Sequence, residues 1–239
     1  MFCGRFWFRL AVTWLGRECS PSTCQTLIKI FYSPFTFDKF IQLIYKSLNH
    51  VSDYQIFKNI EKHISLNDSE KQYLKSSFSL REVSKKETIL EQGNTCKNLY
   101  FVEYGSFRAY NVDQNGREST IMFAVKDWWI TDMDCFVNRK PALLSIEALE
   151  PSGVFEWNSY WLEQLYEKIP KFERFFRILF QKAYIREQKR ALHSISLTTE
   201  ERYWQFVEDY PAIVEKVTQK QIASYLGVTP EFLSAVKKK

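Results

Sequence analysis

The side chains able to make and break bonds are few in this chain and far apart. Its three histidines, His50, His63 and His193, share no neighbourhood in sequence. Its five cysteines, Cys3, Cys19, Cys24, Cys96 and Cys135, form no CxxC pair, which argues against a disulfide framework and favours a reducing, cytoplasmic setting. No phosphate-cradling glycine loop is present, nor a Ser-His-Asp or Cys-His neighbourhood. An enzyme is not expected; catalytic residues and metal ligands are read as none. The residues that do group by type and spacing lie in "VTQKQIASYLGVTPEFLSAVKKK", Val217 to Lys239. From Lys216 onward five lysines (216, 220, 237, 238 and 239) stand against one acid, Glu231. Lysines near a helix end suit phosphate contacts, and Thr, Ser and Glu side chains suit base edges. The chemistry on offer is the binding of a polyanion.

Such side chains act only where helices present them. Thr218 is placed to cap a helix over residues 219–225, with Ile222 and Ala223 facing inward. Gly227 permits a left-handed turn between two helices, and Val228 plugs the junction. Thr229 caps the second helix, Pro230 sits in its first turn, and Phe232, Leu233 and Val236 give it an apolar face. This is the helix-turn-helix layout, whose second helix enters the major groove. The DNA-binding candidates are Thr218, Gln219, Thr229, Pro230, Glu231, Ser234, Lys237 and Lys238. The plainer alternative for such a motif is a packing hairpin.

Upstream, Pro170 opens a stretch without Gly or Pro that carries two apolar stripes. Phe172, Phe176, Leu179 and Ala183 form one; Ile178, Ile185 and Leu192 stand seven apart on the other. Two stripes predict two packing partners, the chain's own domain and the same helix of a second subunit, hence a homodimer. The alternative is one wide buried face. Thr198 or Thr199 caps a further helix that ends at Pro211.

Between residues 78 and 158 the texture is that of short strands, with turn signals at Lys85-Lys86, Gly93-Asn94, Gly105 and Asn115-Gly116. Asn-Gly predicts a tight hairpin, and a Pro-Ser-Gly turn is expected between the last two strands. Residues 126–144 read as irregular. A β-roll or jelly roll follows from turns at such short intervals. Residues 54–64 have helical spacing, and Asn67 or Asp68 caps a helix to about Ser77.

The chain of 239 residues is 45% hydrophobic and 26% charged with net charge +5, a globular composition that permits an anionic partner. It has no apolar run long enough to span a membrane. The start, "MFCGRFWFRLAVTWLG", is interrupted by Arg9 and lacks a clear small-x-small cleavage site, so an extension is expected over a leader. Four segments result: residues 1–50 as extension, 51–169 as β-roll with flanking helices, 170–194 as dimerisation helix and 195–239 as helix-turn-helix. The fold class is α+β.

With "LREVSKKETILEQGNTCKNLYFVEYGSFRAY", "DQNGRESTIMF" and "TQKQIASYLGVTPEFLSAV" in this order, the chain resembles the CRP/FNR family of bacterial transcription regulators. The resemblance covers residues 54–239. It implies a cyclic-nucleotide-binding β-roll used as a sensor, dimerisation, double-stranded DNA and RNA polymerase as partners, and a small-molecule effector. In cAMP-binding members a Gly-Glu and a later Arg-Ser or Arg-Thr hold ribose and phosphate, with help from backbone N–H groups. Here "WWITDMD" and "PALLSIEAL" fall at those places, so the implied pocket residues are Trp129, Thr131, Asp132, Ala142 and Leu143. Asp132 could stand for the ribose-binding acid, but Ala142 and Leu143 cannot hold a phosphate, and no tight cAMP site is expected. Arg139 and Lys140 are read as a solvated loop face. The iron–sulfur cluster of redox members would call on Cys3, Cys19, Cys24 and Cys135, whose loose spacing predicts none. The recognition helix has Pro230 and Ala235 where members often carry arginines. Two readings from other classes remain: a β-roll interaction module without DNA binding, and a cupin-like metalloenzyme, which would need histidines on its strands.

Overall fold

Eight short strands fold into two antiparallel four-stranded sheets, ordered β1-β8-β3-β6 and β2-β7-β4-β5. They are β1 Leu80–Val83, β2 Thr88–Leu90, β3 Asn98–Tyr104, β4 Ser106–Val112, β5 Glu118–Val125, β6 Trp129–Ile130, β7 Ser145–Ala148 and β8 Ser152–Asn158. The computed structural model describes residues 54–237. Expectations for residues 1–50, Cys3, Cys19, Cys24 and His50 among them, lie outside the described residues, as do Lys238 and Lys239.

Helices α1 Gln55–Glu61 and α2 Asp68–Ser77 precede the strands. α2 opens with a capping box, Asn67 accepting from the Glu70 amide and Glu70 from the Asn67 amide, as the residue types predict. α1 has no cap of its own. Glu103 of β3 accepts from the amides of Gln55 (2.6 Å) and Ile56 (3.2 Å) instead, and its burial raises its carboxyl pKa against those two bonds.

The two sheets close over an aromatic core of Phe101, Phe107, Phe155 and Trp157, all buried to 1% exposure or less. Gly105, with φ of 85°, joins β3 to β4, and a Cβ there would meet the Ser152 hydroxyl at 2.0 Å. Two turns and one longer stretch differ from expectation. The β4–β5 loop is not a two-residue hairpin: Asp113 accepts from the amides of Asn115 (2.8 Å) and Arg117 (2.9 Å) and holds a wider loop in which Gly116 alone is left-handed. The Pro-Ser-Gly turn is instead a bend over Leu149–Pro151, because Ser152 and Gly153 already pair with β1. Gly153 stays in the strand because a Cβ would strike the Tyr104 ring at 2.3 Å. The stretch read as irregular contains β6 and a helix, α3 Met133–Asn138.

After β8, α4 Ser159–Lys168 is capped by Asn158. α5, Lys171–Ser196, follows with 26 residues, roughly 39 Å at ~1.5 Å per residue. Its first turns bury Phe172, Phe175 and Phe176 against the sheets, where Phe176 meets Trp157 and Trp129 at 5.9 and 5.5 Å. Beyond them Leu179 is half-buried, and Tyr184, Ile185, Leu192 and Ile195 are exposed. Four helices complete the chain: α6 Thr199–Asp209, α7 Pro211–Val214, α8 Gln219–Leu226 and α9 Pro230–Lys237. Thr198 caps α6 in a second capping box with Glu201. These helices share a separate apolar cluster, into which β5 inserts Phe123. No helix among the described residues is long and apolar enough to cross a membrane.

Candidate nucleic-acid interface

α8 begins with a reciprocal cap: the Thr218 hydroxyl accepts from the Gln221 amide (3.2 Å), and the Gln221 side chain accepts from the Thr218 amide (2.9 Å). Such a cap stabilises a helix by about 1 kcal/mol. It also commits the Thr218 side chain to the fold. Ile222, Ala223 and Leu226 are buried. Gly227 follows with φ of 73°, and the Val228 amide reaches back to the Ala223 carbonyl at 3.0 Å, closing the helix end. Thr229 then caps α9, accepting from the Phe232 amide at 3.2 Å.

α9 is anchored by Leu233, which has no exposure. At 100° per residue the opposite side carries Glu231 and Ala235, both exposed, flanked by half-buried Ser234 and by Phe232. Phe232 does not belong to the apolar inner face: it is 53% exposed, because the helix is short and Leu233 alone centres its contact. Gln219 and Thr229 are exposed and Pro230 half-buried. Lys237 closes α9. Lys216 does not belong to a free basic cluster, since it pairs with Glu150 of the bend before β8 at 2.5 Å.

The unit is docked on its own sheet. The Ser224 hydroxyl accepts from the Thr120 amide and donates to the Glu118 carbonyl, both at 2.8 Å, bridging α8 to β5. Phe123 packs at a tilt against Phe206 and Tyr225, ring centroids 6.0 and 5.5 Å away, and the Arg190 guanidinium of α5 lies 4.4 Å over the Tyr225 ring. Burial pushes the Tyr225 hydroxyl pKa well up, so that ring stays neutral. Sequence reasoning missed this bridge; its partners are 104 and 106 residues apart.

The residues implied as a ligand pocket lie in and beside α3. Asp132 caps α3, with Oδ1 accepting from the Cys135 amide (3.1 Å). Its Oδ2 accepts from the amides of Leu143 (2.7 Å) and Leu144 (3.0 Å), and the residue is 3% exposed. One carboxylate thus holds the N–H groups on both sides of the loop over 139–144. Ala142 is buried in backbone pairing with Asn94 and Gly93, while the Leu143 side chain is 56% exposed. Thr131 donates to the Asn98 carbonyl at 2.9 Å. Trp129 is part of the aromatic core, its indole N–H given to Asn59 at 3.1 Å. Arg139 and Lys140 are exposed. Cys135 is buried beside Cys96, whose amide it accepts at 2.8 Å, and burial raises its thiol pKa. Among the described residues no three His, Cys, Asp or Glu side chains are placed to hold a metal ion. A groove of about 1070 Å³ does exist, between the second half of α5, β5, α6 and the end of α8.

Residues 80–168 match the cyclic nucleotide-binding domain family. Regulatory protein HlyX of Actinobacillus pleuropneumoniae is 23% identical over 165 residues, covering 64% of this chain and 68% of that protein. Among solved structures, the c-di-GMP responsive global regulator CLP of Xanthomonas campestris superposes with a TM-score of 0.60 at 16% identity, over 72% of this chain and 90% of that one. A protein of Eubacterium rectale described as a transcriptional regulator of the CRP/FNR family gives 0.59 at 17%, over 72% and 82%. At such identities the structural likeness is one of fold.

Proposed function

We propose that this chain, a CRP/FNR-type protein by its cyclic nucleotide-binding domain and its architecture, is a dimeric transcription regulator that binds double-stranded DNA through α9. The observation that carries this reading is the α8–Gly227–α9 unit. Caps at Thr218 and Thr229 and the left-handed glycine set the two helices, Leu233 faces the core, and Glu231, Ser234 and Ala235 are left on the other side. Lysines near the end of α9 supply phosphate contacts, and the exposed polar side chains supply base contacts.

The dimer forms along α5. Ile185 and Leu192 are exposed, and with half-buried Ile178 they keep a seven-residue spacing that the β-roll does not cover. The charge introduced by Ile185→Glu should convert a dimer to a monomer in sedimentation; wild type already monomeric at micromolar concentration would remove the dimer. Cyclic nucleotide is not the effector, because Asp132 already engages the Leu143 and Leu144 amides, and the Ala142 and Leu143 side chains offer a phosphate neither a cation nor a hydroxyl. The protein acts in the cytoplasm, and RNA polymerase is its partner in regulation. Fragments of the source genome selected by the full chain, then titrated at several salt concentrations, test the reading. A steep fall of affinity with salt and a recurrent palindromic site are expected; no shift of any fragment at low salt would leave only an interaction module.

A further inference from the structure

We propose that Phe232 and Ala235 read thymine, making the operator half-site of this protein dependent on C5-methyl groups. This rests on α9 being the DNA-reading helix, and deepens that reading. The second helix of a helix-turn-helix contacts base edges with its N-terminal residues. In α9 those residues carry no arginine or lysine: residues 229–236 read Thr-Pro-Glu-Phe-Leu-Ser-Ala-Val. Bidentate readout of guanine, the commonest specific contact, therefore has no donor there.

What the exposed side offers instead is apolar. Phe232 is 53% exposed although it is a large ring on the same helix as a fully buried leucine. Ala235 lies three positions on, the spacing that sets side chains side by side on a helix, and it is exposed too. Together they form a small apolar surface next to the Glu231 carboxylate. In the major groove the one apolar group on a base edge is the thymine methyl, and Phe and Ala are among the side chains that meet it. An exposed phenyl ring on a short helix docks against such a methyl by shedding water from both. Glu231 bars the alternative of a phosphate lying on this surface, by like charge, and leaves a base amino group as its own partner.

The test needs a site found by selection with the full-length wild type. Each thymine of the half-site is then replaced by uracil, which removes the methyl and keeps every hydrogen-bonding group. One or two positions should weaken wild-type binding by about fourfold each, the burial of one methyl. Phe232→Ala should bind the thymine site more weakly and lose its sensitivity to uracil at the same positions. The ring is at the surface, so the variant should melt with wild type. If wild type is indifferent to uracil at every position, or the variant remains as sensitive as wild type, the inference fails while DNA binding stands. Absence of binding to any DNA would overturn both.

Discussion

At the start of α3, the Asp132 carboxylate is buried and takes three backbone N–H groups. At the start of α9, the Thr229 hydroxyl takes one, and Glu231, two residues on, is exposed with no partner among the described residues. Both are helix starts with an acid close by, one in the cyclic nucleotide-binding domain match and one in the helix proposed to read DNA. In the β-roll the chain has satisfied its own donors, and what remains is a structural joint. In the helix-turn-helix only the groups needed to set the helix are consumed, and the outward side chains are left over. A residue type alone does not make a site; spare hydrogen-bonding capacity does.

The sharpest way to break this contrast is Asp132→Ala. It orphans the amides of Cys135, Leu143 and Leu144 at a site with almost no exposure. Each buried donor without a partner costs about 1–3 kcal/mol, and partial relaxation leaves a loss on the order of 3 kcal/mol. For a domain of this size that is a fall in Tm of roughly 6–12 °C. Unchanged melting would mean the carboxylate is not a joint. Calorimetry of the wild type with cAMP should show no low-micromolar binding, and heat at that level would put the ligand back in the β-roll.

On the other side, removing Lys237, Lys238 and Lys239 should weaken binding to every DNA sequence alike. The log–log salt slope should flatten by about 0.9 for each phosphate that is no longer neutralised. Replacing Glu231 or Ser234 with Ala should change sequence preference more than affinity. An unchanged slope after the truncation would take the phosphate role from these lysines. Ser224→Ala acts where the two regions meet. It leaves the Thr120 amide and the Glu118 carbonyl without their bridge, at about 1–2 kcal/mol, and hydrogen exchange at Thr120 should speed up while the β3–β8 pairing stays protected. Equal protection of Thr120 in wild type and variant would remove the bridge as a stabilising interaction.

The helix-turn-helix was legible in sequence because its determinants are local: Thr218 to Gln221, Gly227, and Thr229 to Phe232 all act within a few residues. The strand ends at Gly105 and the caps at Asn67 and Thr198 were readable for the same reason. The two stripes of α5 were visible, but Phe175 belongs to neither and is fully buried, because the first turns of the helix are enclosed by the sheets and by His63 of the segment after α1. In sequence Asp132 stands out only as an acid that could face a ribose. Its role was hidden because its partners come from a loop 11 and 12 residues on. The docking on β5 had no local signal: Ser224 inside an amphipathic helix reads as surface until the sheet edge is in place.

The smallest effect concerns the ion pair that ties the two regions together. Glu150 lies in the bend between β7 and β8, where burial acts to raise its pKa. The Lys216 ammonium at 2.5 Å and the Ser106 hydroxyl at 2.8 Å outweigh that and hold it below the ordinary 4.5. A depressed carboxyl favours the folded form at every pH above its unfolded value, and this contribution is lost as pH falls through the folded value. Docking of the helix-turn-helix on the roll should therefore loosen on the acid side of 4.5 and be indifferent near neutrality. Both partners are about a third exposed, so solvent screens the pair and the change in Tm should be slight. The readable quantity is the titration itself. Carbon-detected NMR of the Glu150 side chain should give a midpoint below 4.5 in wild type. Lys216→Ala should raise it, since burial then acts against only the Ser106 bond and the more distant Lys85 charge. A midpoint that Lys216→Ala leaves in place would show that the ammonium does not reach Glu150 in solution, and the link between roll and helix-turn-helix would then rest on the Ser224 bridge and on apolar contacts such as Phe123 and the Trp128–Tyr210 ring pair.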